Sequence, residues 1–119
     1  MLKIGIVGLC GRMGHALYEC AQGNDGAKVV CGIDTNVTAL PAGCNAELVA
    51  SPQMLSKAPD MFIDFSRPQC SLGVLEYAKE HGCAVILGTT SFDYAQKDKI
   101  KEYSRQIPIV WSANFSIGV

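Results

Sequence analysis

Short apolar runs alternate with helical patterns along almost the whole chain. Five runs that are rich in Ile, Val and Phe occupy residues 2–8, 28–34, 60–65, 83–88 and 107–112. Runs that are apolar at nearly every position are typical of strands covered on both faces, as in a parallel sheet. The alternation therefore predicts an α/β fold over 1–119, a single domain doubly wound around a mainly parallel sheet.

Helical periodicity fills residues 12–22, 68–81 and 92–105. Pro68 suits the first turn of the second helix and Gly82 its end. Thr90 and Asp93 have the spacing of a capping box at the start of the third. The apolar stripes predicted to face the sheet are Met13, Ala16, Leu17, Cys20 and Ala21 in the first helix, Leu72, Leu75 and Ala78 in the second, and Phe92, Ala95, Ile100 and Tyr103 in the third.

Residues 35–59 interrupt the alternation. They contain Pro41, Gly43, Pro52 and Pro59, which favour a loop. Within it we expect a weak strand at "AELVA", residues 46–50, and a short helix near "PQMLSKA", residues 52–58. Because ligands in such folds lie beyond the carboxyl ends of the strands, the residues that follow each strand are the candidates for a binding site.

The composition narrows the classes of protein that the chain can represent. Hydrophobic residues make up 49% of the 119 positions and charged residues 18%, with a net charge of -1. This balance argues against a disordered chain, a nucleic-acid surface and a polybasic membrane anchor. The apolar runs are far shorter than the roughly 20 residues of a membrane helix, and the first residues lack the pattern of a signal peptide. We therefore predict a soluble, cytoplasmic protein with no nucleic-acid or membrane partner.

The cysteine pattern bears on compartment and metal binding. The six cysteines form no C-x-x-C pair, and no histidine lies at zinc spacing from them. We predict reduced cytosolic thiols and no metal site. Cys31 and Cys83 lie inside apolar runs, where free cysteine behaves as a small buried hydrophobe.

The stretch "GLCGRMG", residues 8–14, separates the first strand from the first helix. A helix amino terminus presents unpaired N–H groups and a positive dipole end, so a pyrophosphate binds there if the backbone approaches closely. Gly8 permits a tight turn, Gly11 close approach and Gly14 packing of the helix on the sheet. Cys10 replaces the middle glycine of the usual fingerprint. Taken alone, the glycines are also consistent with a tight turn that binds nothing.

An acidic residue at the end of the second strand favours a pyrophosphate site over a turn that binds nothing. Asp34 follows Gly14 by about 20 residues, the position from which a carboxylate accepts hydrogen bonds from the adenosine ribose. A carboxylate there repels a 2'-phosphate, and the next residue, Thr35, is no arginine that could bind one. NAD(H) is therefore favoured over NADP(H), although Arg12 leaves NADP(H) possible. The two strands and their turn predict a Rossmann-like dinucleotide-binding domain.

Three later strand ends carry further motifs: "DFSRPQ" at 64–69, "GTTSF" at 88–92 and "SANFSIG" at 112–118. With "GLCGRMG" they resemble, in order and spacing, the dihydrodipicolinate reductase family of bacterial and plant lysine biosynthesis. The resemblance covers essentially the entire chain. Two positions depart from the family pattern: Ser91 stands where glycine is usual, and Ser112 where alanine is common. Ser91 is consistent with a role in the helix cap instead.

The resemblance implies roles for particular residues. Residues 8–13 line the pyrophosphate, Asp34 meets the ribose, and Ser66 borders the cofactor groove with Phe65 and Arg67. Thr90 and Phe115 are expected near the substrate. The complete set of implied cofactor-binding residues is Gly8, Leu9, Cys10, Gly11, Arg12, Met13, Asp34, Phe65, Arg67, Gly88, Thr89, Thr90, Ser112, Ala113, Asn114 and Phe115.

The resemblance also implies chemistry that this chain lacks. The family passes a hydride from NAD(P)H to a cyclic imine diacid, 4-hydroxy-tetrahydrodipicolinate, on the route to diaminopimelate and lysine. Its proton donor and carboxylate-binding cations come from an H-H-x-x-K segment in a second domain. His15 and His81 lie on predicted helices and cannot replace that pair. We therefore expect no catalytic residue in this chain, because the C-terminal catalytic domain is absent from it. We also expect no turnover by these residues alone. A homotetramer is implied for the full-length enzyme.

Two other functions stay open. A stand-alone nucleotide- or CoA-binding regulatory module also uses a glycine turn after its first strand, but has no need of Asp34. The cofactor half of an aspartate or homoserine dehydrogenase is disfavoured by "GTTSF" and "ANFSIG".

Overall fold

The computed structural model describes residues 2–35, 43–88 and 92–111. The strands within these ranges are β1 (Leu2–Val7), β2 (Ala27–Ile33), β3 (Glu47–Val49), β4 (Met61–Asp64), β5 (Ala84–Leu87) and β6 (Ile109–Trp111). The helices are α1 (Arg12–Gln22), α2 (Pro68–His81) and α3 (Tyr94–Ser104), with a 3₁₀ turn at Pro52–Met54. The weak strand predicted at 46–50 is β3, and the short helix predicted near 52–58 is this turn.

All strand pairs in the sheet are parallel, in the order β3-β2-β1-β4-β5-β6. The chain moves outward from β1 in one direction through α1 and in the other through α2 and α3. Because each crossover between parallel strands is right-handed, opposite directions place the helices on opposite faces. This is the order of a Rossmann-like fold, so the predicted doubly wound α/β class is confirmed.

The core divides into two clusters, one for each face of the sheet. Ile4 and Ile6 of β1 pack with Tyr18 of α1 in the smaller cluster. The larger cluster joins residues of β4 and β5 to Leu75 of α2 and Ile100 of α3. The two clusters thus anchor α1 to one face of the sheet, and α2 and α3 to the other.

The buried face of α1 differs from the predicted stripe. Its buried residues are Gly14 and Tyr18, whereas Met13, Ala16 and Cys20 are exposed. A β-carbon on Gly14 would lie 2.2 Å from the carbonyl oxygen of Gly8, so the helix packs its glycine against the turn. That close approach rotates the buried face one position along from the apolar pattern.

The start of α3 also differs from the prediction. Asp93 is its N-cap and forms the capping box with Gln96, in place of the predicted pair Thr90 and Asp93. The helix therefore begins at Tyr94. Thr90 lies outside the described residues, and Ala95 of the predicted stripe is exposed. The end of α2 is as predicted, with Gly82 in the left-handed region at φ 69°.

Candidate functional site

The carboxyl ends of β1 and β2 open onto a cavity of about 550 Å³, referred to below as the groove. The residues singled out in the sequence that line it together are Gly8, Cys10, Gly11, Asp34, Ser66 and Arg67. A second cavity, of about 530 Å³, lies at the amino-terminal edge of the sheet, between the end of α1 and the start of β2. Because ligands of doubly wound sheets bind beyond the carboxyl ends of the strands, the groove is the candidate site.

The glycine turn brings the backbone close to the groove. Gly8 has φ +87°, a conformation that side chains with a β-carbon rarely adopt. Its N–H donates to Ile33 O at 2.7 Å, and its carbonyl accepts from Gly11 N at 3.1 Å. A β-carbon on Gly11 would meet only Gly8 O, at 3.5 Å, which is ordinary contact. The fold therefore requires glycine at 8 and 14, whereas position 11 could carry a β-carbon without a clash.

The remaining residues of the turn lie differently. Leu9 is fully buried beside Gly32, where a β-carbon would come within 2.3 Å of Leu9 Cδ2. Leu9 therefore presents only its backbone to a ligand. Arg12 and Met13 are exposed at the start of α1 and are not among the residues that line the groove.

Asp34 joins the end of β2 to the glycine turn. Its Oδ2 accepts a hydrogen bond from the backbone N–H of Cys10 at 2.9 Å, and its own N–H donates to Val49 O at 3.0 Å. These two bonds hold the Asp34 backbone and carboxylate in place between β3 and the glycine turn.

Two helices begin at the groove without a side-chain cap. The N-cap of α1 is Gly11 and that of α2 is Arg67, and neither has a side-chain capping hydrogen bond among the described residues. Each helix start therefore presents backbone N–H groups and a positive dipole end toward the groove. Such a site favours an anion.

The loop after β4 is fixed by Asp64, which is fully buried. Its Oδ1 accepts from Ser66 N at 2.8 Å and also from the Ser66 hydroxyl. Phe65 packs against Gly88 at the end of β5, where a β-carbon would lie 2.0 Å from Phe65 Cε1. Phe65 and Gly88 therefore contact each other beside the groove, while Ser66 and Arg67 line it.

Several lining residues were not singled out in the sequence. They come from the end of β3 and the 3₁₀ turn (Ala50, Ser51, Pro52 and Gln53) and from α2 (Gln69, Cys70, Gly73 and Val74). The rule that a ligand lies after each strand, applied to the weak strand at 46–50, would have selected Ser51. Of the residues that were singled out, Thr89, Thr90, Ser112, Ala113, Asn114 and Phe115 lie outside the described residues.

Residues 2–35, 43–88 and 92–111 contain no group of three or more His, Cys, Asp or Glu side chains placed to hold a metal ion. In the same ranges, no helix has the length and apolar character that crossing a membrane requires. All six cysteines are unpaired.

Comparison with known proteins gives a family and several structural neighbours. The family model described as "Dihydrodipicolinate reductase, N-terminus" matches residues 2–115. A dihydrodipicolinate reductase from a Paenisporosarcina species, with dipicolinate bound, is 20% identical and has a TM-score of 0.83; the match covers 99% of this chain and 49% of that one.

Two further structures share the fold. An oxidoreductase from Agrobacterium radiobacter, in complex with NAD+, L-tartaric acid and magnesium, is 16% identical with a TM-score of 0.75, over 96% of this chain and 36% of that one. A myo-inositol dehydrogenase from Corynebacterium glutamicum is 22% identical with a TM-score of 0.69, over 92% of this chain and 35% of that one. This chain therefore spans about half the length of the first relative and about a third of the other two.

Proposed function

The chain belongs to the dihydrodipicolinate reductase family through its N-terminal domain, and from that premise we propose that it is the dinucleotide-binding half of a reductase. The reaction is hydride transfer from NAD(H) to a cyclic imine diacid, 4-hydroxy-tetrahydrodipicolinate, in diaminopimelate and lysine biosynthesis. One observation carries the proposal: the uncapped start of α1 and the Asp34 carboxylate, joined through Cys10 N at 2.9 Å, face the same groove.

The glycine turn fits a pyrophosphate. Gly11, the N-cap of α1, lines the groove and adds no side chain to it. The first backbone N–H groups and the dipole of α1 favour two phosphate charges. Arg67, which lines the groove from the start of α2, adds a positive side chain to the same space.

The ribose end of the groove favours NAD(H) over NADP(H). The Asp34 carboxylate lines the groove at the end of β2, the position from which a carboxylate accepts hydrogen bonds from the hydroxyls of an adenosine ribose. A phosphate on the 2'-hydroxyl would bring its negative charges against the carboxylate. Arg12, exposed at the start of α1, is the side chain that allows some NADP(H) binding.

The nicotinamide, when bound, supplies the hydride. In this proposal Gly88, Thr89, Thr90 and residues 112–115 border that end of the cofactor, and Thr90 and Phe115 approach the substrate. The Phe65 ring packs against the end of β5, so that only glycine fits beside it at position 88.

The proton donor is proposed to come from a second domain. His15 lies within α1 and His81 at the end of α2, away from the groove. The His81 ring stacks on Tyr77 with centroids 4.0 Å apart, and its Nδ1 lies 2.9 Å from Tyr77 O. We therefore expect these 119 residues to bind the cofactor and not to turn over.

Calorimetric titration of the chain with NADH, NADPH and CoA tests the proposal. We expect NADH to bind more tightly than NADPH, and CoA to bind weakly. Asp34→Asn keeps an oxygen that can accept from Cys10 N but loses the charge, so the preference for NADH should fall by about tenfold, which corresponds to roughly 1.4 kcal/mol. Asp98→Asn, on the exposed side of α3, is the matched control and should keep the wild-type preference. Tighter binding of CoA than of either dinucleotide would favour a regulatory module instead.

A further inference from the structure

Two thiols line the groove from different elements. Cys10 belongs to the glycine turn, and Cys70 lies in the first turn of α2. Cys10 is half-buried and Cys70 is exposed. The other cysteines do not line the groove, although Cys20 is exposed on α1.

Cys31 and Cys83, by contrast, are buried in the core. Burial raises the pKa of Cys31 to about 12, and burial also raises the pKa of Cys83. Because the thiolate is the nucleophile, both should stay inert at neutral pH. Modification of the folded protein is therefore directed to the thiols that solvent reaches, and two of these face the groove.

We propose that Cys10 and Cys70 make the groove a thiol-modification site, at which a bound dinucleotide and a group attached to either sulfur exclude each other. This rests on the proposed function, because it assigns the dinucleotide to the same groove. The modifying class is a small anionic disulfide. Of the described residues, two charged side chains line this cavity of about 550 Å³: Asp34 repels carboxylates at its own end, whereas Arg67 and the uncapped start of α1 favour carboxylates on the attached group.

The covalent step is thiol–disulfide exchange. The protein thiolate attacks one sulfur of the small disulfide, a mixed disulfide forms, and the other half leaves as a thiolate that takes up a proton. The protein thiol is oxidised and the small disulfide is reduced, so no other oxidant is needed. A dithiol reductant reverses the step.

A footprinting experiment tests the first half of the proposal. The reduced 119-residue chain is labelled for short, fixed times with iodoacetamide in excess over thiols, with and without NADH, and each cysteine is quantified by peptide mass spectrometry. NADH affinity is measured in parallel by calorimetry. At about ten times the measured Kd, labelling of Cys10 and Cys70 should slow by about tenfold, because only the free protein reacts. Cys20 is the internal control and should react equally in both samples.

Glutathione disulfide tests the second half. After treatment, NADH affinity of the wild-type chain should fall by about tenfold or more, and dithiothreitol should restore it. The affinity of a Cys10→Ser/Cys70→Ser double variant, at whatever value it starts, should not change on treatment. Cys20→Ser should respond as the wild-type chain does.

The outcomes separate this inference from the proposed function. If NADH binds by calorimetry but Cys10 and Cys70 are labelled at the same rate with and without it, the inference is overturned and dinucleotide binding stands. Undiminished NADH affinity after confirmed mixed-disulfide formation at either position overturns it as well. If NADH does not bind the untreated chain at all, the proposed function fails, and the exclusion fails with it.

Discussion

The amino termini of α1 and α3 begin helices of equal length in opposite ways. At α3, Asp93 Oδ1 accepts from Gln96 N at 2.8 Å, and Asp93 N donates to Gln96 Oε1 at 2.8 Å, so both ends of a capping box are made. At α1, the N-cap is Gly11, which has no side chain to accept a hydrogen bond. The start of α3 thus bonds two of its own backbone N–H groups through side chains, whereas the start of α1 offers its first N–H groups to another acceptor, such as a ligand.

The start of α2 indicates when a helix in this fold lacks a side-chain cap. The N-cap of α2, Arg67, makes no side-chain capping bond, and both Arg67 and Gly11 line the groove. Asp93 does not line it. Helix starts at the groove are thus left open, whereas the one away from it is capped. A self-satisfied cap gives stability, while an open one gives an anion site at the expense of that stability.

The largest effect is expected at the contact between α1 and its turn. Gly14→Ala places a β-carbon 2.2 Å from Gly8 O and 2.6 Å from Leu9 Cα, and backbone atoms cannot move aside cheaply. We expect the free energy of unfolding to fall by about 3 kcal/mol, measured by urea denaturation, and NADH binding to be lost.

Gly73→Ala is the matched control for that substitution. It is also a helical glycine, but a β-carbon there meets nothing within 4 Å. Its expected effect is a gain in stability of about 0.5–1 kcal/mol, since alanine is the better helix former. Equal effects of the two substitutions on stability would show that the close packing of Gly14 does not hold the open turn in place.

The sequence predicts most of this fold because its signals are local. Uninterrupted apolar runs mark the central strands, and even the weak strand at β3 and the 3₁₀ turn follow from proline positions and short apolar runs. The buried face of α1 was predicted one position out, because a glycine scores as featureless in an apolar pattern and yet makes the tightest contact of the helix. The start of α3 was placed too early because Thr90 and Asp93 have box spacing as well as Asp93 and Gln96, and only backbone geometry distinguishes them.

The groove was predicted in part, for a physical reason. Gly8, Gly11 and Asp34 follow from the ends of the two strands that flank the phosphate turn. Gln69, Cys70 and Gly73 reach the groove from α2, which becomes its wall only because β4 pairs with β1. That pairing joins residues far apart in the chain, so no local pattern reveals it.

The second-largest effect on stability is expected at the capped start of α3. Asp93→Ala removes the acceptor for Gln96 N and should lower the free energy of unfolding by about 1 kcal/mol. NADH affinity should not change, because Asp93 is not part of the groove. Asp98→Ala, on an exposed position within the same helix, should change stability by less than about 0.5 kcal/mol. A loss of NADH affinity in Asp93→Ala alone would mean that the capped helix start also serves the ligand.

The smallest effect on stability, and the sharpest test of the comparison, is to install a cap at the open end. Gly11 has extended backbone angles, φ -83° and ψ 175°, that any residue adopts, and its β-carbon would meet Gly8 O at an ordinary 3.5 Å. In Gly11→Ser the hydroxyl can accept from the first turn of α1, which should raise stability by a few tenths of a kcal/mol, about the difference between serine and glycine caps.

The same hydroxyl competes with the pyrophosphate for those N–H groups. Calorimetry should therefore show NADH affinity falling by about tenfold in Gly11→Ser, roughly the 1.5 kcal/mol of one hydrogen bond to a charged group. Gly11→Ala adds bulk without an acceptor and should lose less affinity, while its stability falls because alanine is a poor N-cap. If the serine variant is more stable and binds NADH as the wild type does, the open start of α1 is not where the phosphates bind. If both variants lose affinity equally, steric closeness at Gly11, and not the freedom of its N–H groups, is what an uncapped helix contributes here.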